Sequence, residues 1–287
     1  MSTPASPYAG ARIALATLHG KADALAPAFA ALGARLVLAE GVDTDLLGTF
    51  SGEIARTQPP LETAIAKARL AMAATGLPLG LATEGSFGPD PVVGLLPLHR
   101  ETIVLVDDAR GMVVHERIDT HETNHGGCWL RDGEGLDVAR LSRWGFPSHA
   151  VMVRSEPFRP GMRVVKGIVE RDALERAVAA CIAASPEGRA RVDTDMRAHL
   201  NPTRMRQIAL LGERLAQRLR CLCPQCDAPG FGMARALPGL PCEGCGMPTT
   251  RLLAEVHACP ACGHSTQRPR SDGLACADPA HCDICNP

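Results

Sequence analysis

The last 65 residues carry four Cys-x-x-Cys pairs, and this feature constrains the fold more than any other. The two residues inside each pair let both thiolates reach one ion at about 2.3 Å. Fifteen residues separate the first two pairs and nineteen the last two. Both gaps fit the template of a four-cysteine zinc ribbon. We therefore predict two structural zinc ions, held by Cys223, Cys226, Cys242, Cys245, Cys259, Cys262, Cys282 and Cys285.

The spacing leaves two ligand pairings open. Sequential pairing joins the first Cys-x-x-Cys pair to the second and the third to the fourth, and we favour it because it is simpler. Cross-braced pairing joins the first to the third and the second to the fourth. A site made of four thiolates has no open position, so these ions are expected to be structural rather than catalytic. The nearby Cys221, Cys276, His264 and His281 are predicted to be bystanders.

Cysteine usage also predicts the compartment. Ten of the twelve cysteines follow residue 220, and residues 1–10 resemble a disordered lead rather than a secretion signal. This pattern is typical of metal thiolates in a reducing cytoplasm. Cys181, within an apolar helical pattern, is predicted to be a small buried hydrophobe. The chain has no apolar run of membrane-spanning length, so we predict no membrane partner.

Charge argues against a nucleic-acid partner for the tail. Residues 223–287 contain four basic and six acidic side chains, and Phe231 is their one aromatic residue. Each four-thiolate zinc site adds a charge of about −2. A phosphate-binding face needs Lys and Arg, and a base-stacking face needs aromatic rings. The arginine-rich helix predicted at 202–220 is the remaining candidate for nucleic-acid binding, and its structural alternative is a solvated face.

The larger N-terminal part has the pattern of an α/β domain. A strand at 12–18, a helix at 22–32 and a strand at 35–39 form a β-α-β opening, which implies parallel pairing. Further helices are predicted at 61–75, 172–184 and 202–220, and further strands at 79–83, 92–96, 102–107, 112–118, 149–154 and 162–168. We predict a mixed, mostly parallel sheet domain over 11–200, a linking helix at 201–221 and a double zinc ribbon at 222–287.

Polar residues cluster where three of these elements begin or end. They are the candidate catalytic residues His19, Lys21 and Glu84, and the candidate substrate-binding residues Ser86, Arg197, His199 and Arg204. Ligands of open α/β sheets lie beyond the carboxyl ends of strands, and helix N-termini favour anions. The alternative at each cluster is structural: a tight turn at 84–89, or a helix entry with salt bridges at 195–204.

Residues 121–125 match the letters of the HExxH metalloprotease motif. That chemistry requires a helix, so that both histidines lie on one face. A β-rich run precedes this segment and two glycines follow it, so we predict a loop without a protease site.

Several segments resemble a bacterial family of unknown function over nearly the whole chain. They are the His19-Gly20-Lys21 turn, 48–53, Ala82-Thr-Glu-Gly-Ser-Phe-Gly-Pro89, Asp195-Met-Arg-Ala-His-x-Asn-Pro-x-Arg204 and Cys282-Asp-x-Cys-Asn-Pro287. This resemblance implies no activity.

A fainter similarity is to the inosine/xanthosine triphosphate pyrophosphatases. It rests on the order of Lys21, the helix bearing Lys67 and Arg69, and Glu84-Gly85. The similarity implies that Lys21 holds phosphate and that Glu84, with Glu53, holds Mg²⁺. An Asn-Pro before the lysine is missing, and the zinc tail is foreign to that family.

Two functions follow from these observations. The first is a Mg²⁺-dependent hydrolase of a small, nucleotide-like phosphate. The alternative is a non-catalytic adaptor whose zinc ribbons dock a protein or, as a minor variant, nucleic acid.

Overall fold

A computed structural model describes residues 6–49, 53–55, 57–159 and 162–287. The chain divides into two compact units. The first, here the α/β unit, comprises Tyr8–Ala109 and His115–Leu215. The second, here the cysteine unit, comprises Arg110–Val114 and Ala216–Pro287 together with Ser6 and Pro7. None of the helices in the described ranges combines the length and the apolarity that crossing a bilayer requires.

The α/β unit begins with a five-stranded sheet and two helices. In chain order they are β1 (Arg12–Leu15), α1 (Lys21–Ala30), β2 (Arg35–Leu38), α2 (Pro60–Thr75), β3 (Leu79–Pro89), β4 (Pro97–Asp107) and β5 (Met112–Thr120). The strand order is β2-β1-β3-β4-β5. β1 is parallel to β2 and to β3, while β3 is antiparallel to β4. The predicted β-α-β opening and the mixed α/β class are confirmed.

β3 is longer than predicted. The segment 84–89, predicted as the polar end of a strand, continues β3 and pairs with β4 as far as Pro89 opposite Pro97. The strand predicted at 92–96 is wrong, because this apolar run lies in an exposed turn where Val92 and Leu95 are each 91% exposed. An apolar run predicts a strand only where the chain can bury it, and here the connection between β3 and β4 leaves it outside.

α2 lies unusually close to β3. A Cβ atom on Gly80 would stand 2.6 Å from the carbonyl oxygen of Ala68 and 2.6 Å from the Met72 side chain. Glycine at this position therefore permits the close approach. Because alternate strand residues share a face, Gly80 and Glu84 both face α2, and the close packing brings Lys67 of α2 to Glu84.

A second, four-stranded sheet completes the α/β unit. Its elements are β6 (Gly127–Arg131), α3 (Val138–Arg143), β7 (Val151–Glu156), β8 (Val164–Ile168), α4 (Arg171–Ala183) and β9 (Arg189–Thr194). The strands lie in the order β6-β9-β7-β8 and all pairs are antiparallel. Cys181 of α4 is fully buried in the core between helix and sheet, as predicted, and burial raises the pKa of its thiol. The N-cap of α4 is Glu170, so the helix begins one residue before the predicted 172.

α5 (Pro202–Arg220) begins where Asn201-Pro202 predicts. The Asn201 side-chain oxygen accepts a hydrogen bond from the Arg204 backbone N–H at 3.0 Å, which caps the helix. One apolar stripe of the helix is buried at Ile208, Leu211, Leu215 and Leu219.

The cysteine unit contains a three-stranded antiparallel meander of β10 (Gly232–Pro238), β11 (Leu252–Ala258) and β12 (Ser265–Pro269). One hydrophobic cluster among its described residues consists of Cys223, Phe231 and Cys259, with Ala228 packed against them.

Of the predicted disordered lead, 1–10, residues 1–5 lie outside the described residues. Tyr8, in contrast, is buried, and its hydroxyl donates a hydrogen bond to Asp107 at 3.0 Å.

Candidate metal centres and ligand cleft

The eight paired cysteines form two quartets. Within each quartet the four sulfur atoms lie within 4.8 Å of one another. One quartet is Cys223, Cys226, Cys259 and Cys262, and the other is Cys242, Cys245, Cys282 and Cys285. In every pair the first cysteine is buried and the second exposed.

The sulfur positions fit a tetrahedral metal site. The distance between the Sγ atoms of Cys223 and Cys262 is 3.8 Å, and the distance between those of Cys226 and Cys259 is 3.7 Å. In the other quartet the corresponding distances are 3.8 Å (Cys242 to Cys285) and 3.6 Å (Cys245 to Cys282). A tetrahedron with metal–sulfur bonds of about 2.3 Å has sulfur–sulfur edges of about 3.8 Å, whereas a disulfide is about 2.05 Å long. Each quartet could therefore hold one metal ion.

The quartets are cross-braced, so sequential pairing is wrong. The first and third Cys-x-x-Cys pairs share a site, as do the second and fourth. The meander gives the reason. Each strand carries the chain to the opposite end of the sheet, so successive Cys-x-x-Cys pairs alternate between the two ends. β10 and β11 run between the two sites. Each has seven residues and is therefore about 20 Å long.

Backbone N–H groups point at the buried sulfur atoms. The N–H groups of Gly244 and Gln225 approach the sulfur atoms of Cys242 and Cys223 at 3.3 and 3.4 Å. Backbone N–H groups near Cys285 likewise lower the pKa of the Cys282 thiol to about 7. Such donors stabilise thiolates, the form of cysteine that binds metal.

Cys221, Cys276, His264 and His281 belong to neither quartet among the described residues, as predicted. The His264 ring instead stacks at 6.1 Å from Phe231.

The α/β unit has a cleft made of three adjoining pockets. The Lys21 pocket lies at the carboxyl end of β1 and includes His19, Lys21, Asp45, Lys67, Thr83, Glu84 and Arg204. The Arg197 pocket includes His19, Asp45, Thr49, Met152, Lys166, Asp195 and Arg197. The Phe87 pocket includes Thr49, Ser86, Phe87, His125, Met152, Arg154, Arg191, Asp193, Thr194 and Met196. Shared lining residues join each pocket to the next.

Lys21 is a buried amine bound to neutral oxygens. Its Nζ donates to the Thr83 hydroxyl at 2.8 Å and to the Thr83 carbonyl at 3.2 Å. Burial, followed by repulsion from the Arg204 guanidinium, lowers the pKa of Lys21 to about 7. The amine is therefore poised between its neutral and charged forms at neutral pH.

The other two cations of the Lys21 pocket are paired with carboxylates. Lys67 Nζ donates to Glu84 Oε2 at 2.6 Å, and both side chains are buried. Arg204 forms a bidentate pair with Glu101, at 3.0 Å to each oxygen, and both are buried. Burial by itself would raise the pKa of Glu101, but the Arg204 charge and the His99 hydrogen bond hold it well below its usual range.

Gly85 makes room for the pair of Arg204 and Glu101. A Cβ atom at Gly85 would stand 2.3 Å from a Glu101 carboxylate oxygen and 2.6 Å from the Arg204 guanidinium. These distances are far below van der Waals contact, so a side chain at this position would displace the ion pair. Gly85 of β3 therefore allows Glu101 of β4 and Arg204 of α5 to pack closely against the strand.

His19 and His199 stack as a parallel pair, with ring centroids 4.9 Å apart. Burial, reinforced by the Lys21 charge, lowers the pKa of His19 to about 3, and burial with Arg197 lowers that of His199. His19 is therefore neutral at physiological pH and can accept a hydrogen bond.

Arg197 is fixed at the side of the cleft by Asp195, with Nη2 at 2.7 Å and Nε at 3.0 Å from the carboxylate. Asp195 also accepts the Gly167 backbone N–H at 3.1 Å. Glu53, the predicted second Mg²⁺ carboxylate, forms an ion pair with Lys166, and its neighbours 50–52 lie outside the described residues.

A family comparison places this arrangement in context. The family model described as "Domain of unknown function (DUF6671)" matches residues 67–287, more than half of the chain. The chain belongs to this family. Searches of the curated proteins and of the solved structures gave no match. The resemblance to a family of unknown function is confirmed in this general form.

In this DUF6671 chain, the cleft brings together residues that are far apart in sequence. His19, Lys21, Glu84 and Arg204 line the Lys21 pocket, Arg197 lies in the adjoining pocket, and Ser86 in the third. His199 reaches the cleft through its stacking on His19.

The sequence did not predict Glu101, Arg154, Arg191 or Asp193 as site residues. They lie within strands, where charged residues normally indicate a solvated face, and no local motif marks them. His125 belongs to residues 121–126, which form a loop as predicted and not the helix that an HExxH metal site requires.

Proposed function

We propose that the α/β unit hydrolyses a small, nucleotide-like phosphate in its cleft, and that two structural zinc ions hold the cysteine unit together. Zinc is the natural occupant of sites whose four ligands are all thiolates. Such sites are closed, so the reaction belongs to the cleft. The cytoplasmic location inferred from the thiols stays a prediction.

One observation carries the proposed hydrolase: Lys21 is a buried amine with a pKa of about 7, whereas Lys67 and Arg204 beside it are neutralised by carboxylates. A neutral amine has two N–H groups, and Thr83 accepts both. Protonation adds a third N–H, which a phosphate oxygen can accept. Strongly shifted pKa values in a cleft mark candidate functional groups.

The remaining groups fit phosphoryl transfer to water. An approaching phosphate raises the pKa of Lys21, and the resulting ammonium stabilises negative charge on the transferring group. Arg197 extends the cationic lining toward the adjoining pocket. Neutral His19 accepts a hydrogen bond from the attacking water and orients it.

The predicted Mg²⁺ site does not fit the carboxylates assigned to it. Glu84 accepts from Lys67 at 2.6 Å, and Glu53 is paired with Lys166, so each faces a cation. Mg²⁺ commonly binds through substrate phosphates and only one or two carboxylates. Any dependence on Mg²⁺ is therefore assigned to the ion that a polyphosphate carries with it, and no step of the reaction is routed through a protein-bound Mg²⁺.

Lys21→Met is expected to lower the rate of hydrolysis strongly while leaving the protein folded. The methionine keeps the apolar stem and removes a buried amine. A panel of nucleoside triphosphates and inorganic tripolyphosphate, with Mg²⁺, measures turnover by phosphate release. We expect a loss of about 10²-fold or more, the usual effect of removing one electrostatic stabiliser. Arg69→Met is the control. Arg69 lies on α2, is exposed and pairs with Asp108, so the variant should retain full activity.

Absence of turnover by wild-type protein for every member of the panel, together with no ligand-induced rise in melting temperature, would remove the hydrolase proposal. The adaptor function would then be favoured. Its supporting observation is the apolar surface of the cysteine unit, where Met233, Met247, Leu253 and Ile284 are each at least 39% exposed.

Anion affinity is expected to fall as the pH rises above about 7. Below the pKa of about 7, Lys21 is already charged in the free protein. Above it, binding must take up a proton, so affinity falls by up to about tenfold per pH unit. Titration calorimetry with ATP from pH 7.5 to 9 measures this slope, because its triphosphate group is already almost fully ionised throughout that range. Lys21→Met should bind weakly and show a flat profile; an equal slope in this variant would contradict the assignment.

A further inference from the structure

We propose that the Phe87 pocket binds a planar heterocycle, and that the ligand of the cleft is therefore a nucleotide whose base lies against Phe87. This inference rests on the proposed function, because the phosphate groups would extend from the Phe87 pocket to Lys21. It assigns recognition of the base to residues that take no part in the hydrolysis itself.

The floor of the pocket is a fixed aromatic surface. Phe87 and His99 lie directly opposite each other on β3 and β4, and their rings stack with centroids 4.4 Å apart and planes 17° apart. His99 is held by Glu101 at 2.9 Å, and Glu101 in turn by Arg204. The Phe87 ring is thus positioned from behind by a buried, charged network, which reduces the entropy lost when a second ring stacks on it.

The walls add further apolar and planar surface. The His125 ring lies 5.7 Å from Phe87 and is inclined by 36° to it. Burial lowers the pKa of His125, so the ring is uncharged at neutral pH. Met152 and Met196 complete the apolar lining of a cavity of about 340 Å³, within the range of small-ligand sites.

One edge of the pocket supplies directional hydrogen bonds. Asp193 accepts from Arg191 Nε at 2.8 Å and lies 3.8 Å from Arg154. The Arg191 guanidinium is itself stacked over Trp129 at 4.3 Å. The carboxylate offers an acceptor for ring N–H groups, and the guanidinium groups on either side of it offer donors for ring carbonyls. This combination suits a heterocycle that carries both, and it is not needed for an inorganic polyphosphate.

Gly127 of β6 leaves room for the pair of Asp193 and Arg191 at this edge of the pocket. A Cβ atom there would stand 2.0 Å from the Asp193 carboxylate oxygen and 2.7 Å from the Arg191 guanidinium. The absence of a side chain lets β6 approach β9 without displacing the pair of Asp193 and Arg191.

The two ends of the cleft have the separation that a nucleotide requires. Thr83, which binds Lys21, and Phe87 lie four residues apart on β3, a distance of about 13 Å along the strand. An extended nucleoside polyphosphate spans a distance of this order. Arg197 lines the pocket between these ends, where the first phosphate would lie, and Ser86 lines the Phe87 pocket, where the sugar would lie.

The test compares ligands with and without a base. Calorimetry measures binding of tripolyphosphate and of adenosine, guanosine, inosine, cytidine and uridine triphosphates to the full chain. At least one nucleotide should bind wild-type protein about tenfold or more tightly than tripolyphosphate, the contribution expected of one stacked base. Phe87→Leu should remove this advantage and leave tripolyphosphate affinity unchanged.

A second pair of variants guards against misfolding of Phe87→Leu. His125→Phe keeps an aromatic wall and should retain the nucleotide preference, whereas His125→Ala should reduce it. Asp193→Asn should change which base is preferred, with the melting temperature checked for each protein.

The outcomes separate the two proposals. Equal affinity of wild-type protein for tripolyphosphate and for every nucleotide overturns the base pocket and leaves the phosphate site standing. So does an equal loss of both ligands in folded Phe87→Leu. Failure of every ligand, tripolyphosphate included, to bind wild-type protein removes the phosphate site and with it the base pocket.

Discussion

Chelation of metal under reducing conditions is expected to unfold the cysteine unit. Metal–thiolate binding in sites of this kind contributes about 10–16 kcal/mol of apparent free energy. Apart from the cysteines, the large apolar side chains buried within the described residues 222–287 are Phe231 and Leu240, which are too few to replace that contribution. Limited proteolysis should therefore cut between 223 and 285 only after chelation, and metal analysis should find two zinc ions per chain beforehand. Persistent protection after complete metal removal would contradict this account.

The ligand pairing can be tested with the same metal analysis. The double variant Cys226→Ser/Cys262→Ser damages one cross-braced site and should retain one zinc ion. Cys226→Ser/Cys245→Ser damages both sites and should retain neither. Sequential pairing predicts the reverse result for the two variants. Cys221→Ser, outside the quartets, is the control and should retain both ions.

Arg204→Met is expected to destabilise the α/β unit by about 3–5 kcal/mol, because it leaves the buried Glu101 carboxylate without its guanidinium partner. Urea unfolding followed by tryptophan fluorescence measures this change, since Trp129 and Trp144 both lie in the α/β unit. Arg206→Met is the matched control, two residues along the same helix. Its ion pair with Glu122 is exposed, so the loss should be about 0.2–1 kcal/mol.

The same variant changes the response to acid. The pKa of Glu101 is depressed in the folded protein, so its contribution to stability is present above about pH 4.5 and is lost as the pH falls further. Arg204→Met should weaken this dependence. A full-sized acid response in the variant, together with a loss below 1 kcal/mol, would show that Glu101 is stabilised by other groups.

The local parts of the fold could be predicted because local pattern determines them. The apolar runs of β1 and β2 favour strands, and the proline and glycine at the ends of α2 and the Asn201-Pro202 entry to α5 mark helix boundaries through local backbone geometry. β9 was missed because Arg189-Ala190-Arg191-Val192-Asp193 mixes charged and small residues. Its burial depends on β6 and β7, which flank it and are distant in sequence.

The candidate site divides in the same way. The positions of His19 and Lys21 follow from the end of β1, so a rule about strand ends was enough to find them. Glu101 and Asp193 are identified by their partners, Arg204 and Arg191, and only three-dimensional packing brings Glu101 to Arg204. The cross-braced pairing likewise depends on the directions of β10, β11 and β12, and the spacing of the cysteines does not determine these directions.

The alternation of metal ligands along the meander also affects the order in which the chain can mature. During synthesis from the N-terminus, sequential ribbons could close a first site as soon as Cys245 had emerged. In the observed arrangement the first site must wait for Cys262, and the second for Cys285. Until then the nascent segment presents up to six thiols at once, and each of them can form a wrong disulfide if the surroundings are oxidising.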